Sequence, residues 1–256
     1  MKKEYAEINS KAMDKWSEAG WEWSIPISHE EYSKAKNGHW SVLLTPQKPV
    51  FSEWFAPFIK NNRLDDVTLL GLASGGGQQM PIFAALGANC TVLDYSDRQL
   101  ENERIVAARE GYSIKIVKGD MTKRLPFEDE EFDILFHPVS NVYVEDVYHV
   151  WNECFRILKK GGILLAGLDN GLNYLFEEDN PLLVVNKLPY NPLKNEKLYE
   201  RCLKGDGSIQ FSHTLEEQIN GQLKAGFMLT DLYEDTDNEG IGEYAPNFFA
   251  TRAIKA

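Results

Sequence analysis

The chain has 256 residues, 43% of them hydrophobic, with a formal net charge of −12 and an isoelectric point near 5.0. That length and apolar content suit one large domain, or one domain with an elaboration. An acidic chain is repelled by a phosphate backbone and by anionic lipid headgroups, so neither nucleic acid nor a membrane surface is expected as a partner.

The first stretch, "MKKEYAEINSKAMDKW", lacks an apolar core of signal-peptide length. No stretch approaches the roughly 20 apolar residues of a membrane span. Cys90, Cys154 and Cys202 are far apart, with no CxxC pair and no metal spacing, and the first two read as buried thiols. A cytoplasmic location fits. Residues 1–60 hold five of the six tryptophans: Trp16, Trp21, Trp23, Trp40 and Trp54. So much aromatic surface must pack on something, and the segment is expected to form a helical cap or lid on a domain covering 61–256.

From Val67 strands and helices alternate. "VTLLGL" is a short apolar run that leads into three glycines. In the helix that follows, Pro81 suits the first turn and Gly87 the stop. "CTVLDY" is a second strand. Ser96 and Gln99 then form a capping-box pattern, opening a helix that stops at Gly111. "SIKIVKGD" and "FDILFHPV" are the third and fourth strands. Val147, Val150, Trp151, Cys154 and Leu158 make one apolar helical face, which "KKGG" is expected to end. "ILLAGLD" is the fifth strand.

Residues 171–212 break the alternation and read as an insertion. A helix follows, with Thr214 and Glu217 as a second capping box. "FMLTDLYED" and "NFFATRAIK" close the chain as an antiparallel pair of strands at a sheet edge. The fold class is α/β: a doubly wound, mostly parallel sheet.

The glycines sit where a strand hands over to a helix, at the carboxyl edge of the sheet, where open α/β folds bind ligands. Glycine lets a ligand approach backbone. The stretch is not a phosphate-binding P-loop, because Gln78 and Gln79 stand where Lys and Ser/Thr are needed. A dinucleotide fingerprint starting at Gly75 meets Met80 at its third glycine. Asp94 ends the second strand and can accept both hydroxyls of a ribose. Asp120 ends the third and can take an adenine amino group, with Met121 against the ring. Together these describe a pocket for an adenosine that need carry no phosphate.

On these residues the chain resembles the class I S-adenosylmethionine-dependent methyltransferases, with a Rossmann-like domain of type 11 or type 25. "LLGLASGGGQQ", "VLDYSD", "KGDMTKRLPF" and "FDILFHPVSN" resemble that family's first four motifs. The resemblance implies a seven-stranded sheet whose last strand is antiparallel. It implies S-adenosylmethionine as cofactor and S-adenosylhomocysteine as product. It places Ala73, Ser74, Gly75, Gly77, Gln78, Asp94, Tyr95, Gln99, Asp120, Met121 and His137 around the cofactor. Gly71 replaces the family's first acid, which leaves the methionine amino group to Gln78 or to backbone oxygens.

Methyl transfer from a sulfonium needs alignment and exclusion of water, and a base only for a protonated acceptor. The catalytic candidates are His137 and Ser140, just after the fourth strand. His213 reads as a capping-region residue and His149 as solvated; His29 and His39 lie in the aromatic segment. "HPVSN" is not the Asn/Asp-Pro-Pro-aromatic motif of adenine and amide methylation, so a small-molecule acceptor is expected. Trp40, Thr45 or Lys48 could reach over the cofactor. A nicotinamide-dependent oxidoreductase and a non-catalytic binding module remain open readings, as does the oligomeric state.

Overall fold

The computed structural model describes residues 4–177 and 180–256; residues 1–3 of the expected cap and 178–179 of the expected insertion lie outside it. Two helices precede the sheet, α1 (Tyr5–Glu18) and α2 (His29–Lys36). Then β1 (Thr68–Leu72), α3 (Gln79–Ala85), β2 (Asn89–Asp94), α4 (Asp97–Glu110), β3 (Lys115–Lys118), β4 (Phe132–His137), α5 (Val147–Ile157) and β5 (Leu158–Asp169) follow in turn. Next come α6 (Leu172–Leu175) and a hairpin of β6 (Phe176–Glu177) and β7 (Asn180–Val184). The chain ends with α7 (Glu196–Lys204), α8 (Gly221–Ala225), β8 (Phe227–Asp235) and β9 (Phe248–Lys255).

Seven strands form one sheet in the order β3-β2-β1-β4-β5-β9-β8. β1 to β5 are parallel, and β9 runs antiparallel between β5 and β8. The central strands are buried on both faces, so they read as continuous apolar runs rather than alternating ones. In β1, Leu69 joins the cluster of Phe83, Phe136 and Phe55, while Leu70 and Leu72 join Trp151, Cys154 and Val150 of α5 on the other face.

Three local details depart from the sequence reading. α5 ends at Ile157, because the next carbonyls and amides belong to β5: Leu158 pairs with Phe132, and the Ile157 oxygen accepts from Glu131 N. "KKGG" is therefore strand, bent at Gly161 (φ +78°). At Ser96 only half the capping box forms. Its hydroxyl accepts from Gln99 N at 3.1 Å, but its own N–H donates to Asp94 Oδ1 at 2.9 Å, so the Gln99 side chain is left without that role. His149 is half-buried rather than solvated, with Nε2 unpartnered. The Thr214–Glu217 box is complete in both directions, at 3.1 and 2.8 Å.

The N-terminal aromatic residues have two destinations. Tyr32, Val42, Leu44, Val50, Trp54 and Phe55 enter the main core, and Trp40 packs edge-on against Phe55. α1 instead bridges separate parts of the chain. Asn9 exchanges two hydrogen bonds with Ile209, at 2.9 and 2.7 Å, and Asp14 Oδ1 accepts from Ser96 Oγ and Arg98 N at 2.6 and 3.0 Å. Tyr5 packs edge-on against Phe211.

Candidate active site

β1 and β4 lie side by side, and their connections leave toward opposite ends of the sheet, which opens a crevice at their carboxyl ends. A cavity of about 880 Å³ occupies it. α1 and the segment after it cover one side, and residues of the insertion cover the other. Ala73, Ser74, Gly75, Gln78, Asp94, Tyr95, Gln99, Asp120, Met121 and Ser140 all line this one space; Gly77 and His137 do not.

The glycine turn is held from behind. Gly75 N donates to Asp94 Oδ2 (3.0 Å), Gly76 N to the Gln99 carbonyl (3.0 Å) and Gly77 N to Glu103 Oε1 (2.7 Å). Three successive amides are thus consumed within the protein, and none is left to cradle a phosphate. Gly76 and Gly77 have φ of +106° and +73°, which favours glycine. A Cβ on Gly75 would sit 2.7 Å from Gln99 Cβ and 2.9 Å from Asp94 Oδ2. Gly77 points away, toward Val106 and Pro26.

Each Asp94 oxygen accepts one backbone N–H, from Gly75 or Ser96, and keeps a lone pair for another donor. Burial raises its pKa, with those N–H groups opposing. Gln99 Oε1, beside it, is a buried acceptor with no partner. Asp94 lines the cavity, and its remaining lone pairs suit the two adjacent hydroxyls of a ribose, whereas Gln99 Oε1 lies against Gly76, out of reach of solvent. Asp120 Oδ1 accepts from Thr122 N at 2.8 Å, and Met121 packs on the α5-side core. Gln78 turns its amide to the cap, donating to the Glu22 and Ile25 carbonyls at 2.8 and 3.0 Å. At position 71 a Cβ would lie 2.7 Å from the Met80 thioether, so the family's acid would require the end of that side chain to move.

His137 is fully buried. Its Nδ1 lies 2.9 Å from the Leu72 carbonyl and its Nε2 2.8 Å from the Asn141 amide. Burial lowers its pKa, against the two hydrogen bonds. A neutral ring donates from Nδ1 to Leu72 and takes a proton at Nε2 from Asn141 with the amide ends exchanged. With the Gln218 amide exchanged as well, its Nε2, otherwise without a partner, donates to the Asn141 oxygen. His213 is buried too, with Nε2 3.0 Å from the Asn141 carbonyl. None of the five histidines lines the cavity. Ser140 Oγ donates to Pro138 O at 2.9 Å.

Thr45 lines the cavity; Trp40 and Lys48 do not. Lys48 Nζ is bonded to the Glu234 carbonyl. Missing from the sequence reading are Asp169, at the end of β5, and the insertion residues Tyr174, Tyr190 and Asp206, all on the cavity wall. Asp169 carried the same signal as Asp94, an acid closing an apolar strand. Among the described residues no group of acids, histidines and cysteines could hold a metal ion, and no helix is long and apolar enough to cross a membrane.

A family model described as "Methyltransferase domain" matches residues 70–166. The chain is 41% identical over 254 residues to the Bacillus subtilis protein "Uncharacterized methyltransferase YbaJ", covering 96% of this chain and 97% of that one. It is 35% identical over 109 residues to the sterol 24-C-methyltransferase erg6 of Aspergillus fumigatus, 41% of this chain and 28% of that protein. The crystal structure of an S-adenosylmethionine-dependent methyltransferase from Mesorhizobium loti superposes with a TM-score of 0.59 at 19% identity, over 80% of this chain and 98% of that one. Near-full-length identity to a methyltransferase, on a seven-stranded sheet with its last strand antiparallel, establishes that the chain belongs to the class I S-adenosylmethionine-dependent methyltransferases.

Proposed function

We propose that the protein moves the methyl group of S-adenosylmethionine onto a small-molecule acceptor bound beneath α1 and the insertion. The observation that carries this is Asp94, which lines the cavity at the end of β2 with acceptor capacity left over beside a glycine turn whose three amides are already spent. Asp94 would hold the ribose, Asp120 and Met121 the adenine, and Ser74, Gly75 and Tyr95 the wall between them. S-adenosylmethionine supplies an activated methyl on a positively charged sulfur. The chain's own part is to align the acceptor and keep water out. His137 fits a positioning role, tying the end of β1 to Asn141. A cavity roofed by α1 and the insertion, and the likeness to sterol methyltransferases, favour a small acceptor over a macromolecule. Calorimetry tests the cofactor: S-adenosylmethionine and S-adenosylhomocysteine bind, and NAD, whose pyrophosphate finds all three glycine amides already taken, does not. Tight NAD binding without either adenosyl ligand would sink the reading.

Residues 1–60 are proposed to serve as cap, with the moving part confined to α1 and the residues up to Trp23. Met13, Trp21 and Trp23 line the cavity, whereas Trp54 and Phe55 are core. Lids come from the less stable parts of a structure. S-adenosylhomocysteine should therefore slow hydrogen exchange across Asn9–Trp23 as well as at Gly75–Gln78, and leave Ser52–Phe55 unchanged. Protection gained at the glycine turn alone would make α1 a fixed roof.

A further inference from the structure

The nucleoside reading uses the ends of β1, β2 and β3 and leaves the ends of β4 and β5 unassigned. His137 pairs with Ala166, so Asp169 extends three residues beyond the last β4–β5 pair, along the neighbouring strand. It lines the cavity and is 4% exposed. Oδ1 accepts from Gly171 N and Oδ2 from Asn173 Nδ2, each at 2.6 Å. Asn173 Oδ1 in turn accepts from Asn247 Nδ2 at 2.9 Å, and Asn247 also donates to Asp237 Oδ1 at 2.8 Å. These partners are neutral: the carboxylate is aimed and fixed, yet no cation stands within ion-pair distance among the described residues. A buried, uncompensated carboxylate is costly unless a ligand brings the opposite charge.

The walls around it have the same sign. Asp206, Asp237 and Glu239 also line the cavity. Arg201 is the one cation on the wall among the described residues; its Nη2 donates to the neutral Asn186 Oδ1 at 2.9 Å, so it keeps its charge but is outnumbered by the acids. Tyr174 and Tyr190, stacked at a tilt 5.2 Å apart, supply aromatic faces that also attract cations. A carboxylate or phosphate acceptor would be repelled here.

We propose that the acceptor is an amine and that Asp169 is the catalytic base that receives its proton, an inference that rests on the methyltransferase reading above. The ammonium gives one proton to the Asp169 carboxylate, and the freed nitrogen lone pair takes the methyl carbon. The carbon–sulfur bond pair stays on sulfur. One positive charge is retained, on the methylated ammonium, and the neutral thioether leaves as S-adenosylhomocysteine.

Burial, followed by the hydrogen bonds that oppose it and the charge of Asp237, brings Asp169 to about 7. Below that value the group is protonated and cannot serve as base; above it, it is an anion that both holds an ammonium and accepts its proton. Asp237 from the β8–β9 connection and Tyr174 from α6 act on it electrostatically; Asp206, Tyr190 and Arg201 from the insertion and Glu239 from the β8–β9 connection are further titratable groups on the same cavity wall.

The test uses the full chain saturated with S-adenosylhomocysteine and a set of primary and secondary amines, each paired with its isosteric alcohol and carboxylate. Binding is read by calorimetry and by melting temperature. Amines should bind at least about tenfold tighter than their carboxylate partners, the loss expected for one or more charge-assisted hydrogen bonds. Their affinity should rise as pH climbs through about 7. Asp169→Asn should erase the preference and its pH dependence while leaving S-adenosylhomocysteine affinity intact. A pH dependence that survives in Asp169→Asn, carboxylates binding as well as amines, or no amine binding to the wild-type complex would overturn the proposal. Failure of S-adenosylhomocysteine itself to bind would remove the methyltransferase reading beneath it.

Discussion

Gly167→Ala should lower stability by about 3 kcal/mol or more, at the upper end of what overpacking costs. Gly167 lies in β5, and a Cβ there would stand 1.9 Å from the Leu44 carbonyl oxygen and 2.6 Å from its carbon. Those are backbone atoms, so no side chain can swing aside. Either the Val42–Thr45 segment lifts off the sheet or β5 shifts. At roughly 2–4 °C per kcal/mol for a chain of this size, the melting temperature should fall by about 6–12 °C. Leu44 and Thr45 also line the cavity, so cofactor affinity should fall with it. Gly205→Ala is the control, since its nearest neighbour would be 3.4 Å away. Calorimetric melts of the two variants decide the matter: equal melting temperatures would mean that the Leu44 segment yields at no cost.

Asp94→Ala should weaken S-adenosylhomocysteine binding by about tenfold or more, because hydrogen bonds to a charged group contribute about 1.5–3 kcal/mol each. An acid at a strand end, read from sequence alone, would leave the fold untouched by its removal. The structure changes that expectation. Asp94 also satisfies Gly75 N and Ser96 N, and two abandoned donors cost about 1–3 kcal/mol each. Asp94→Asn keeps one acceptor oxygen, so it separates the two roles: affinity drops nearly as far, and stability drops less. Titrations of both variants beside their melting curves check this. Full affinity in a folded Asp94→Asn would place the ribose elsewhere.

The strands themselves were legible because the central ones are continuous apolar runs, which burial on both faces demands. The turn and its two acids stand in register for the same reason. What the sequence could not show was competition between partners. Ser96–Gln99 reads as a full capping box, but Asp94 takes the Ser96 amide first, and the Gln99 oxygen is left buried without a partner. The run ending at Leu158 reads as helix until the neighbouring strand claims its backbone. Five tryptophans announce burial but not against what; Trp54 donates to Asp231 on β8, 177 positions away, which no local pattern encodes. Asp169 was legible and passed over, because an adenosine pocket was complete without it.

The two hydrogen bonds between Asn9 and Ile209 span 200 positions. During synthesis, α1 leaves the ribosome ahead of its insertion partner, which follows after about 10–40 s at roughly 5–20 residues per second. Until then Tyr5 and Ile8 have no Phe211 or Ile209 to cover them. The roof of the cavity is thus among the last parts of the chain that can close, and the nascent chain exposes an apolar helix face for chaperones to shield throughout that interval.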